Sequence, residues 1–298
     1  MKWAEAEKQL STDLNKIYST GEASSIAALA MEAITGAAKN LRLVKKNLLL
    51  TPEQNRLLAM CTHRLLDNEP VQYILNKAHF YGMELYVDTA VLIPRPETEE
   101  LVQWIIGDVK ESGKDVFIRN ESEADATTEL KIIDVGTGSG CIALALKKAM
   151  PKAEVWGCDV SEAALNVARR NGAALDVRVD FQAIDFLVEA QQKLLPTVDI
   201  IVSNPPYIPE KDKTTMQANV LNYEPHNALF VPNDDALIFY RSIAHFAQEK
   251  LHEAGSIYLE IHEDLANAVV ALFAGNGYKN IEVKKDMQDK ERMVRVRF

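Results

Sequence analysis

A short apolar run that stops at two consecutive prolines is the feature that most constrains how this chain can fold. Residues 198–207 read Val-Asp-Ile-Ile-Val-Ser-Asn-Pro-Pro-Tyr, and the β-branched centre is typical of a strand buried on both faces. Pro205 and Pro206 lack an N–H and fix φ near about −65°, so the strand must end before them. Pro205 also disfavours helical backbone at Asn204. We therefore expect a rigid, extended stop at the carboxyl end of a buried strand, where open α/β sheets bind ligands.

The residues at this stop can hold a planar amino group. Asn204 carries a side-chain carbonyl oxygen, the carbonyl of Pro205 is a second acceptor, and Tyr207 offers a flat aromatic face. Two fixed acceptors can take both hydrogens of an –NH2 group while a ring packs on its plane. An amide or exocyclic amine is a poor nucleophile because its lone pair is delocalised, so it gains from being held with that lone pair facing an electrophile. The plain alternative is a proline-rich turn after a core strand.

Strand and helix patterns alternate from residue 130 onward, and this alternation indicates the fold class. Apolar strands are predicted at residues 130–135, 153–159, 177–182, 198–203 and 255–261, near 283, and at 293–298. Helices are predicted between them at residues 142–150, 161–174, 235–252 and 263–274. The pattern predicts a doubly wound α/β domain with a seven-stranded sheet. Because no helix separates the last two strands, we expect the final strand to run antiparallel.

A glycine-rich turn follows the first of these strands. Residues 132–140 read Ile-Ile-Asp-Val-Gly-Thr-Gly-Ser-Gly, and the glycines allow a tight turn and close approach of a ligand to the backbone. The spacing is G-x-G-x-G and no Lys-Ser/Thr follows, so the turn is not a P-loop. Asp159 ends the next strand, where a carboxylate can accept hydrogen bonds from both ribose hydroxyls of a nucleoside. Together with Asn-Pro-Pro-Tyr, this set fits S-adenosylmethionine, whose sulfonium methyl would face Asn204.

The chain before residue 96 divides into two predicted segments. Residues 1–69 show apolar positions at helical spacing and predict a small helical domain. Residues 70–95 predict a connector with a short β-hairpin that turns near Gly82. The α/β domain then takes residues 96–298, and its polar stretch 107–129 is predicted to be a mobile loop.

Composition and cysteine usage indicate a globular protein of the cytoplasm. Hydrophobic residues make up 47% of the chain and charged residues 26%, and no uncharged apolar run approaches the roughly 18 residues that span a bilayer. No apolar segment of a signal peptide follows Met1. Cys61, Cys141 and Cys158 are scattered without C-x-x-C spacing, which suits reduced thiols in a protein core. We therefore expect a cytoplasmic protein with no membrane association.

The charge distribution argues against nucleic acid as a direct ligand. Of the 33 basic and 43 acidic side chains, 10 and 9 lie in residues 1–86, and 23 and 34 lie in the rest of the chain. The part that holds both motifs is thus acidic, whereas tight binding of DNA or RNA requires basic side chains that neutralise phosphates. The six histidines are dispersed along the sequence, so we expect neither a cluster of histidine ligands nor a bound metal.

With these motifs, the chain resembles the class I S-adenosylmethionine-dependent methyltransferases, and more closely the HemK/PrmC-type protein-(glutamine-N5) methyltransferases that act on peptide chain release factors. The resemblance spans nearly the whole chain. Its most specific element is Ile-Pro-Arg-Pro-Glu-Thr-Glu at residues 93–99, whereas Asn-Pro-Pro-Tyr is shared with DNA amine methyltransferases. The resemblance also rests on residues 69–74, 80–82, 134–140, 224–225, 228–229 and 291–292.

The resemblance implies a Rossmann-like fold and methyl transfer to the side-chain amide nitrogen (N5) of the glutamine in a release factor's Gly-Gly-Gln loop, which affects translation termination. The methyl donor would be S-adenosylmethionine, released as S-adenosylhomocysteine. By the same resemblance, the cofactor is bound by Gly136, Thr137, Gly138, Ser139, Gly140, Asp159, Phe186 and Asn204. The substrate is bound by Asn204, Pro205, Pro206, Tyr207, Arg95 and Glu97, of which Asn204, Pro205 and Tyr207 are the expected catalytic residues.

Three of these residues have plain structural alternatives. Phe186 follows the third predicted strand, where it could flank an adenine, but an aromatic residue there could equally pack in the core. Arg95 and Glu97 lie between two rigid prolines and a helix start, where they could form only a surface turn and a helix cap. Two further features depart from the family pattern: the 107–129 loop is longer, and His262 stands where the family usually has glycine.

Other functions stay open on sequence grounds. A DNA adenine-N6 or cytosine-N4 amine methyltransferase would use the same Asn-Pro-Pro-Tyr on a flipped base, although the acidic charge disfavours DNA binding. A non-catalytic protein that binds release factors would not need both motifs intact. A nicotinamide-dependent dehydrogenase does not fit the glycine spacing. We expect a monomer whose partners are release factors and which does not bind DNA directly.

Overall fold

The computed structural model describes residues 1–111 and 129–298. A helix extends over Pro96–Glu111, so the expectation of a loop beginning at residue 107 is wrong for residues 107–111. Residues 112–128 of that predicted loop lie outside the described residues, and residue 129 is in neither a helix nor a strand.

The described chain forms two compact units. The smaller comprises Met1–Lys77 and Met216–Tyr223, and the larger comprises Ala78–Thr215 and Glu224–Phe298. The smaller unit is therefore assembled from two separate stretches of sequence. Within it, the hydroxyl of Tyr223 donates a hydrogen bond to the backbone oxygen of Asp67 at 2.9 Å.

The smaller unit is helical, as the apolar spacing of residues 1–69 predicts for that part of it; residues 70–77 and 216–223 also belong to the unit, which the sequence does not indicate. Its helices are α1 (Trp3–Leu14), α2 (Thr20–Thr35), α3 (Lys39–Val44), α4 (Pro52–Leu66), α5 (Val71–Leu75) and α10 (Ala218–Tyr223). The side chains of Ser19 and Thr51 accept hydrogen bonds from backbone N–H groups in the first turns of α2 and α4, which explains where these two helices begin. The apolar faces meet in a core that contains Leu10, Leu14 and Leu65.

A tight hairpin opens the larger unit. Strand β1 (Ala78–Phe80) pairs antiparallel with β2 (Met83–Leu85), and only two residues connect them. Tyr81 and Gly82 both have positive φ, at 47° and 70°, which is the conformation of a type I′ turn. This turn matches the right-handed twist of paired strands, so the predicted hairpin near Gly82 is confirmed.

The larger unit is built on a seven-stranded sheet within the described residues, with strand order β10-β11-β9-β6-β3-β4-β5. Its strands are β3 (Lys131–Val135), β4 (Glu154–Asp159), β5 (Asp180–Ala183), β6 (Val198–Ser203), β9 (Leu251–Glu260), β10 (Asn280–Lys285) and β11 (Glu291–Arg297). Strands β5, β4, β3, β6 and β9 are parallel, whereas β11 runs antiparallel to both β9 and β10. The predicted doubly wound sheet with an antiparallel last strand is confirmed.

Helices cover the sheet, and a second small strand pair, besides the hairpin of β1 and β2, lies outside it. The helices are α6 (Pro96–Glu111), α7 (Cys141–Ala149), α8 (Glu162–Leu175), α9 (Glu189–Gln192), α11 (Ile238–Lys250) and α12 (Ala266–Gly275), and the extra strands are β7 (Ile208–Pro209) and β8 (Phe230–Val231). Among the helices in the described parts of the chain, none is both long and apolar enough to cross a membrane.

Strand β6 is buried on both faces, as its β-branched composition predicts. Ile200 and Val202 belong to the core cluster shared with α6 and α7, whereas Val198 and Ile201 belong to the cluster shared with α11 and α12. Each such side chain contributes roughly 1.5–3 kcal/mol by leaving water. These contacts fix β6 in the middle of the sheet.

The chain reverses its direction of travel across the sheet between β3 and β6. From β3 it builds β4 and β5 on one side, and it then returns to place β6 on the other side of β3. The carboxyl ends of β3 and β6 therefore lie side by side where their crossover connections diverge, which is the position of ligand crevices in open α/β sheets.

Candidate active site

The glycine-rich turn after β3 folds over the carboxylate of Asp134. Oδ2 of Asp134 accepts a hydrogen bond from Oγ1 of Thr137 at 2.6 Å and from the backbone N–H of Ala143 at 3.3 Å. Burial raises the pKa of Asp134 to about 7. Gly136 and Gly138 have φ of 73° and 53°, a conformation that favours glycine, so the turn depends on their missing side chains.

The carboxylate of Asp159 closes the other side of this turn. Its Oδ2 accepts from the backbone N–H of Gly138 at 2.9 Å, and its Oδ1 accepts from the backbone N–H of Ser161 at 2.9 Å. Burial raises its pKa, and these backbone donors oppose that rise because they stabilise the charged form. Each carboxylate oxygen keeps a further lone pair, so Asp159 can still accept hydrogen bonds from a ligand's hydroxyl groups.

A cleft of about 370 Å³ lies at the carboxyl ends of β3, β4 and β6. This volume falls within the usual range for small-molecule sites. The structure brings these predicted residues together in its lining: Gly136, Gly138, Asp159, Phe186, Asn204, Pro205 and Pro206. Phe186 also packs edge-to-face on Phe246, with ring centroids 5.1 Å apart, so it serves the core and the cleft at once.

Three predicted cofactor residues of the glycine-rich turn are not in the lining of this cleft. Thr137 and Ser139 are buried, and the backbone oxygen of Ser139 accepts a hydrogen bond from the Asn171 side chain at 2.9 Å. A Cβ on Gly140 would lie 3.1 Å from atoms of Ala168 and Phe181, so Gly140 allows close packing at the start of α7. Thr137, Ser139 and Gly140 therefore pack the turn against the protein interior and do not face the cleft.

Asn204 is held through its side-chain amide. Its Nδ2 donates a hydrogen bond to Oγ1 of Thr98 at 3.1 Å, and Oγ1 of Thr98 lies 2.6 Å from Oε2 of Glu260. Thr98 and Glu260 are both buried. Because the amide nitrogen is engaged by Thr98, the side-chain carbonyl oxygen of Asn204 is the group left to accept a hydrogen bond in the cleft.

Tyr207 follows the prolines and packs outside the lining of the cleft. Its ring lies 5.9 Å from that of His262, at an interplanar angle of 60°. Burial and the neighbouring charge of Glu260 raise its pKa above the ordinary value, so the phenol stays neutral and does not act as a base. His262 in turn accepts a hydrogen bond on Nδ1 from the backbone N–H of Asp264 at 3.3 Å and caps a short 3-10 turn.

Arg95 and Glu97 are engaged by other residues of the protein. The guanidinium of Arg95 pairs with the buried carboxylate of Glu224, whose Oε2 also accepts from the backbone N–H of Ile93 at 3.2 Å. Burial raises the pKa of Glu224, and Arg95 opposes that rise. Oε1 of Glu97 accepts from the side-chain amide of Gln288 at 3.2 Å. Neither residue is in the lining of the cleft, so their predicted contact with substrate stays a prediction.

Sequence reasoning missed Thr98 and Glu260 as residues of this site. The sequence positions of Thr98 and Glu260 could have indicated both residues. Thr98 is part of the Ile-Pro-Arg-Pro-Glu-Thr-Glu motif, and Glu260 is an acidic residue at the end of an apolar strand. Parallel strands place their carboxyl ends at one edge, so an acid at the end of β9 had to come near Asn204 at the end of β6.

One histidine does join a group of possible metal ligands. Glu189, His245 and Glu249 bring one ligand atom each to within 4.8 Å of one another. The group contains a single histidine, so the expectation that the histidines form no cluster of ligands stays a prediction. All three are exposed, Glu189 is ion-paired with Lys193 at 2.8 Å, and none of the three lines the cleft. The group has no part in the site described above.

The fold is that of a class I methyltransferase. Residues 111–229 match the family described as Methyltransferase small domain. Among solved structures, the hMettl16 catalytic domain in complex with a MAT2A 3′UTR hairpin superimposes with a TM-score of 0.53 at 16% identity, covering 83% of this chain and 82% of that chain. At this identity the likeness concerns the fold alone.

Curated relatives give the family. The release factor glutamine methyltransferase of Bacteroides thetaiotaomicron is 38% identical over 282 residues, which cover 94% of this chain and 95% of that protein. The protein of the same name from Flavobacterium psychrophilum is 43% identical over 235 residues, covering 79% of this chain and 78% of that protein. This chain belongs to the release factor glutamine methyltransferase family. Neither relative is named as a DNA methyltransferase.

Proposed function

We propose that this protein transfers a methyl group from S-adenosylmethionine to the side-chain amide nitrogen of the glutamine in the Gly-Gly-Gln loop of peptide chain release factors. One observation carries the proposal: a single cleft contains both the glycine turn with Asp159 and the Asn204-Pro205-Pro206 stop. The first group suits a nucleoside, and the second suits a planar amide. Membership of the release factor glutamine methyltransferase family supports this pairing of donor and acceptor.

The cleft residues fit the donor on structural grounds. Gly136 and Gly138 leave the backbone of the turn uncovered, and the Asp159 carboxylate beside them suits ribose hydroxyls. Phe186 adds an aromatic wall that suits an adenine. S-adenosylmethionine supplies an electrophilic methyl group on a sulfonium. Gly136, Gly138, Asp159 and Phe186 would hold its nucleoside part.

The acceptor is positioned by fixed hydrogen-bond acceptors. The side-chain oxygen of Asn204 and the backbone carbonyl of Pro205 would each accept a hydrogen bond from the substrate –NH2 group. The amide is thereby oriented before it reacts. The two prolines make this geometry rigid because their φ angles cannot vary. Tyr207 is kept neutral by burial, so it would not exchange a proton with the amide. The methylated nitrogen is acidic while it is cationic, so water suffices to take its proton.

We propose that release factors are the protein partners and that the enzyme acts as a monomer in the cytoplasm. Cys61 and Cys158 are buried, and burial raises the pKa of both thiols above the ordinary value, which keeps them protonated and unreactive. This suits a reducing compartment, where release factors work on the ribosome.

The test is transfer of labelled methyl to a purified release factor. The same factor with its Gly-Gly-Gln glutamine changed to alanine is the matched control, and duplex DNA is a second acceptor. We expect label on the unaltered factor alone. Label on the alanine factor would refute the assignment to this atom, and label on DNA alone would overturn the assignment to a protein.

A variant links the chemistry to the cleft. Asn204→Ala should retain binding of S-adenosylmethionine within a few-fold, measured by calorimetry, and lose at least about 100-fold in turnover because the amide is no longer held in position. Turnover near the unaltered rate would refute the role of Asn204.

A further inference from the structure

A chain of three side chains reaches from the sheet core to the proposed amide site. Thr98 comes from the first turn of α6, Asn204 follows β6, and Glu260 ends β9. Nδ2 of Asn204 lies 3.1 Å from Oγ1 of Thr98, which lies 2.6 Å from Oε2 of Glu260. Thr98 and Glu260 are each only 2% exposed. Residues from three elements that are distant in sequence are thus joined by consecutive hydrogen bonds, and the last of these holds Asn204.

The position of Glu260 is itself fixed. Its backbone oxygen accepts a hydrogen bond from the hydroxyl of Tyr240 at 3.1 Å, and the adjacent Ile261 exchanges backbone and side-chain hydrogen bonds with Arg292. Burial raises the pKa of the Glu260 carboxyl to about 7, and the charge of Glu97 adds to this rise. The hydrogen bond with Thr98 and the positive charges of Arg292 and Arg95 oppose it, because they favour the ionised form. At about pH 8 the carboxyl is therefore mainly a carboxylate.

A carboxylate sets the direction of every hydrogen bond in this line. It can only accept, so the hydroxyl hydrogen of Thr98 must point to Glu260. The lone pair of the Thr98 hydroxyl then faces Asn204, and only the –NH2 end of the Asn204 amide can donate to it. The two ends of an asparagine amide have almost the same shape, so packing cannot distinguish them and only hydrogen bonding can.

We propose that Thr98 and Glu260 are positioning residues that hold the Asn204 amide with its oxygen, and not its –NH2 group, toward the substrate. This inference rests on the proposed function of the cleft. With the amide reversed, the –NH2 of Asn204 would meet the –NH2 of the substrate glutamine, donor against donor, and one acceptor for the reacting amide would be lost. Thr98 and Glu260 thus determine which end of the Asn204 amide faces the substrate, and they do so without contacting substrate or cofactor.

The test compares Thr98→Val with Thr98→Ser. Valine keeps the shape of threonine and removes the hydroxyl, whereas serine keeps the hydroxyl and removes a methyl group. At about pH 8 we expect kcat/KM for the release factor to fall on the order of 10- to 100-fold in Thr98→Val. In Thr98→Ser it should stay within about 3-fold, since a smaller side chain that keeps the hydrogen bond keeps the orientation. The Kd for S-adenosylmethionine should be the same in both.

A second readout does not depend on activity. The side-chain –NH2 signals of Asn204 are assigned by nuclear magnetic resonance from their loss in Asn204→Asp. In the unaltered protein and in Thr98→Ser, the hydrogen bonded to Thr98 should exchange slowly with solvent. In Thr98→Val that protection should be lost.

The outcomes separate the inference from the proposed function. Equal kcat/KM in the valine and serine variants, or an Asn204 amide that stays protected in Thr98→Val, overturns the positioning role. If the unaltered enzyme methylates no release factor, the proposed function fails. The exchange measurement still decides whether Thr98 and Glu260 orient Asn204.

Discussion

Glu260 gives the fold a pH dependence that a single substitution should remove. Burial raises the pKa of this carboxyl from its ordinary 4.5 to about 7 in the folded protein. The folded state therefore holds a proton that the unfolded chain releases at lower pH. The stabilisation is fully present below the unfolded pKa of 4.5 and is lost as the pH rises through about 7.

The size of the loss in unfolding free energy follows from the difference between the folded and unfolded pKa values of Glu260. Each unit between the two pKa values corresponds to about 1.4 kcal/mol, so the folded protein should lose about 3 kcal/mol over the whole window. Between about pH 5 and about pH 8.5, where most of that titration falls, the loss should be about 2–3 kcal/mol. Glu260→Gln keeps an acceptor for Thr98 and does not titrate, so over this range its free energy of unfolding should fall by about 2–3 kcal/mol less than that of the unaltered protein. The buried carboxyl of Asp134, whose pKa is also raised to about 7, titrates in both proteins and cancels from the comparison.

The assay must report on the larger unit alone, because two compact units need not unfold together. Trp3 lies in the smaller unit, whereas Trp104 and Trp156 lie in the larger. Trp3→Phe is therefore the host for all variants. Tryptophan fluorescence in urea then follows the larger unit, and linear extrapolation gives its free energy of unfolding at each pH.

The matched control is Glu253→Gln, the same substitution at an exposed position on the same strand. It should follow the pH dependence of the host. An equal loss of stability in Glu260→Gln and in the host between the two pH values would contradict a raised pKa at Glu260. That result would mean that Glu260 is ionised in the folded state throughout, and that its neighbours offset the effect of burial.

Three further substitutions test other parts of the larger unit. Asp159→Asn removes the charge beside Gly138 and should raise the Kd for S-adenosylmethionine about tenfold or more by calorimetry, since hydrogen bonds to a charged acceptor are the stronger ones; an unchanged Kd would contradict its place in the site. Gly140→Ala forces a side chain onto a φ of 80° and should lower the free energy of unfolding, measured in urea, by about 1–3 kcal/mol. Gly275 has open space around it, so Gly275→Ala should leave the free energy of unfolding no lower. Glu224→Gln leaves the guanidinium of Arg95 without its charged partner and should destabilise the fold by about 1–3 kcal/mol, which a lower Tm would report. A Tm equal to that of the unaltered protein would show that this ion pair does not contribute to stability.

Local chemistry made much of the larger unit predictable from sequence. The structure gives β6 the predicted bounds, Val198–Ser203, because two prolines end it and β-branched residues fill it. The turn at Gly82 was readable because few residues tolerate its positive φ. The meeting of Asp159 with Asn204 in one cleft follows from a rule about parallel sheets, so it needed no knowledge of side-chain contacts.

Contacts between distant residues account for what the sequence did not show. The polar residues 107–111 stay helical because Val109 is buried and Asp108 accepts a hydrogen bond from the hydroxyl of Tyr258 at 2.6 Å, on a strand far along the chain. Thr98 and Glu260 are 162 residues apart, and their pairing depends on how α6 lies against the sheet. Neither composition nor spacing carries that information.

The assembly of the helical unit from two stretches limits how this protein can be recombined. A single crossover at Lys77, between one relative's helices and another's catalytic sequence, would bring in an α10 of different ancestry from the helices it joins. The hydrogen bond between Tyr223 and Asp67 would then join residues inherited from two different relatives. Exchange of the unit as a cassette requires junctions at three places, near residues 77, 216 and 223. We therefore expect the N-terminal helices and the segment beyond Asn-Pro-Pro-Tyr to be inherited as one block.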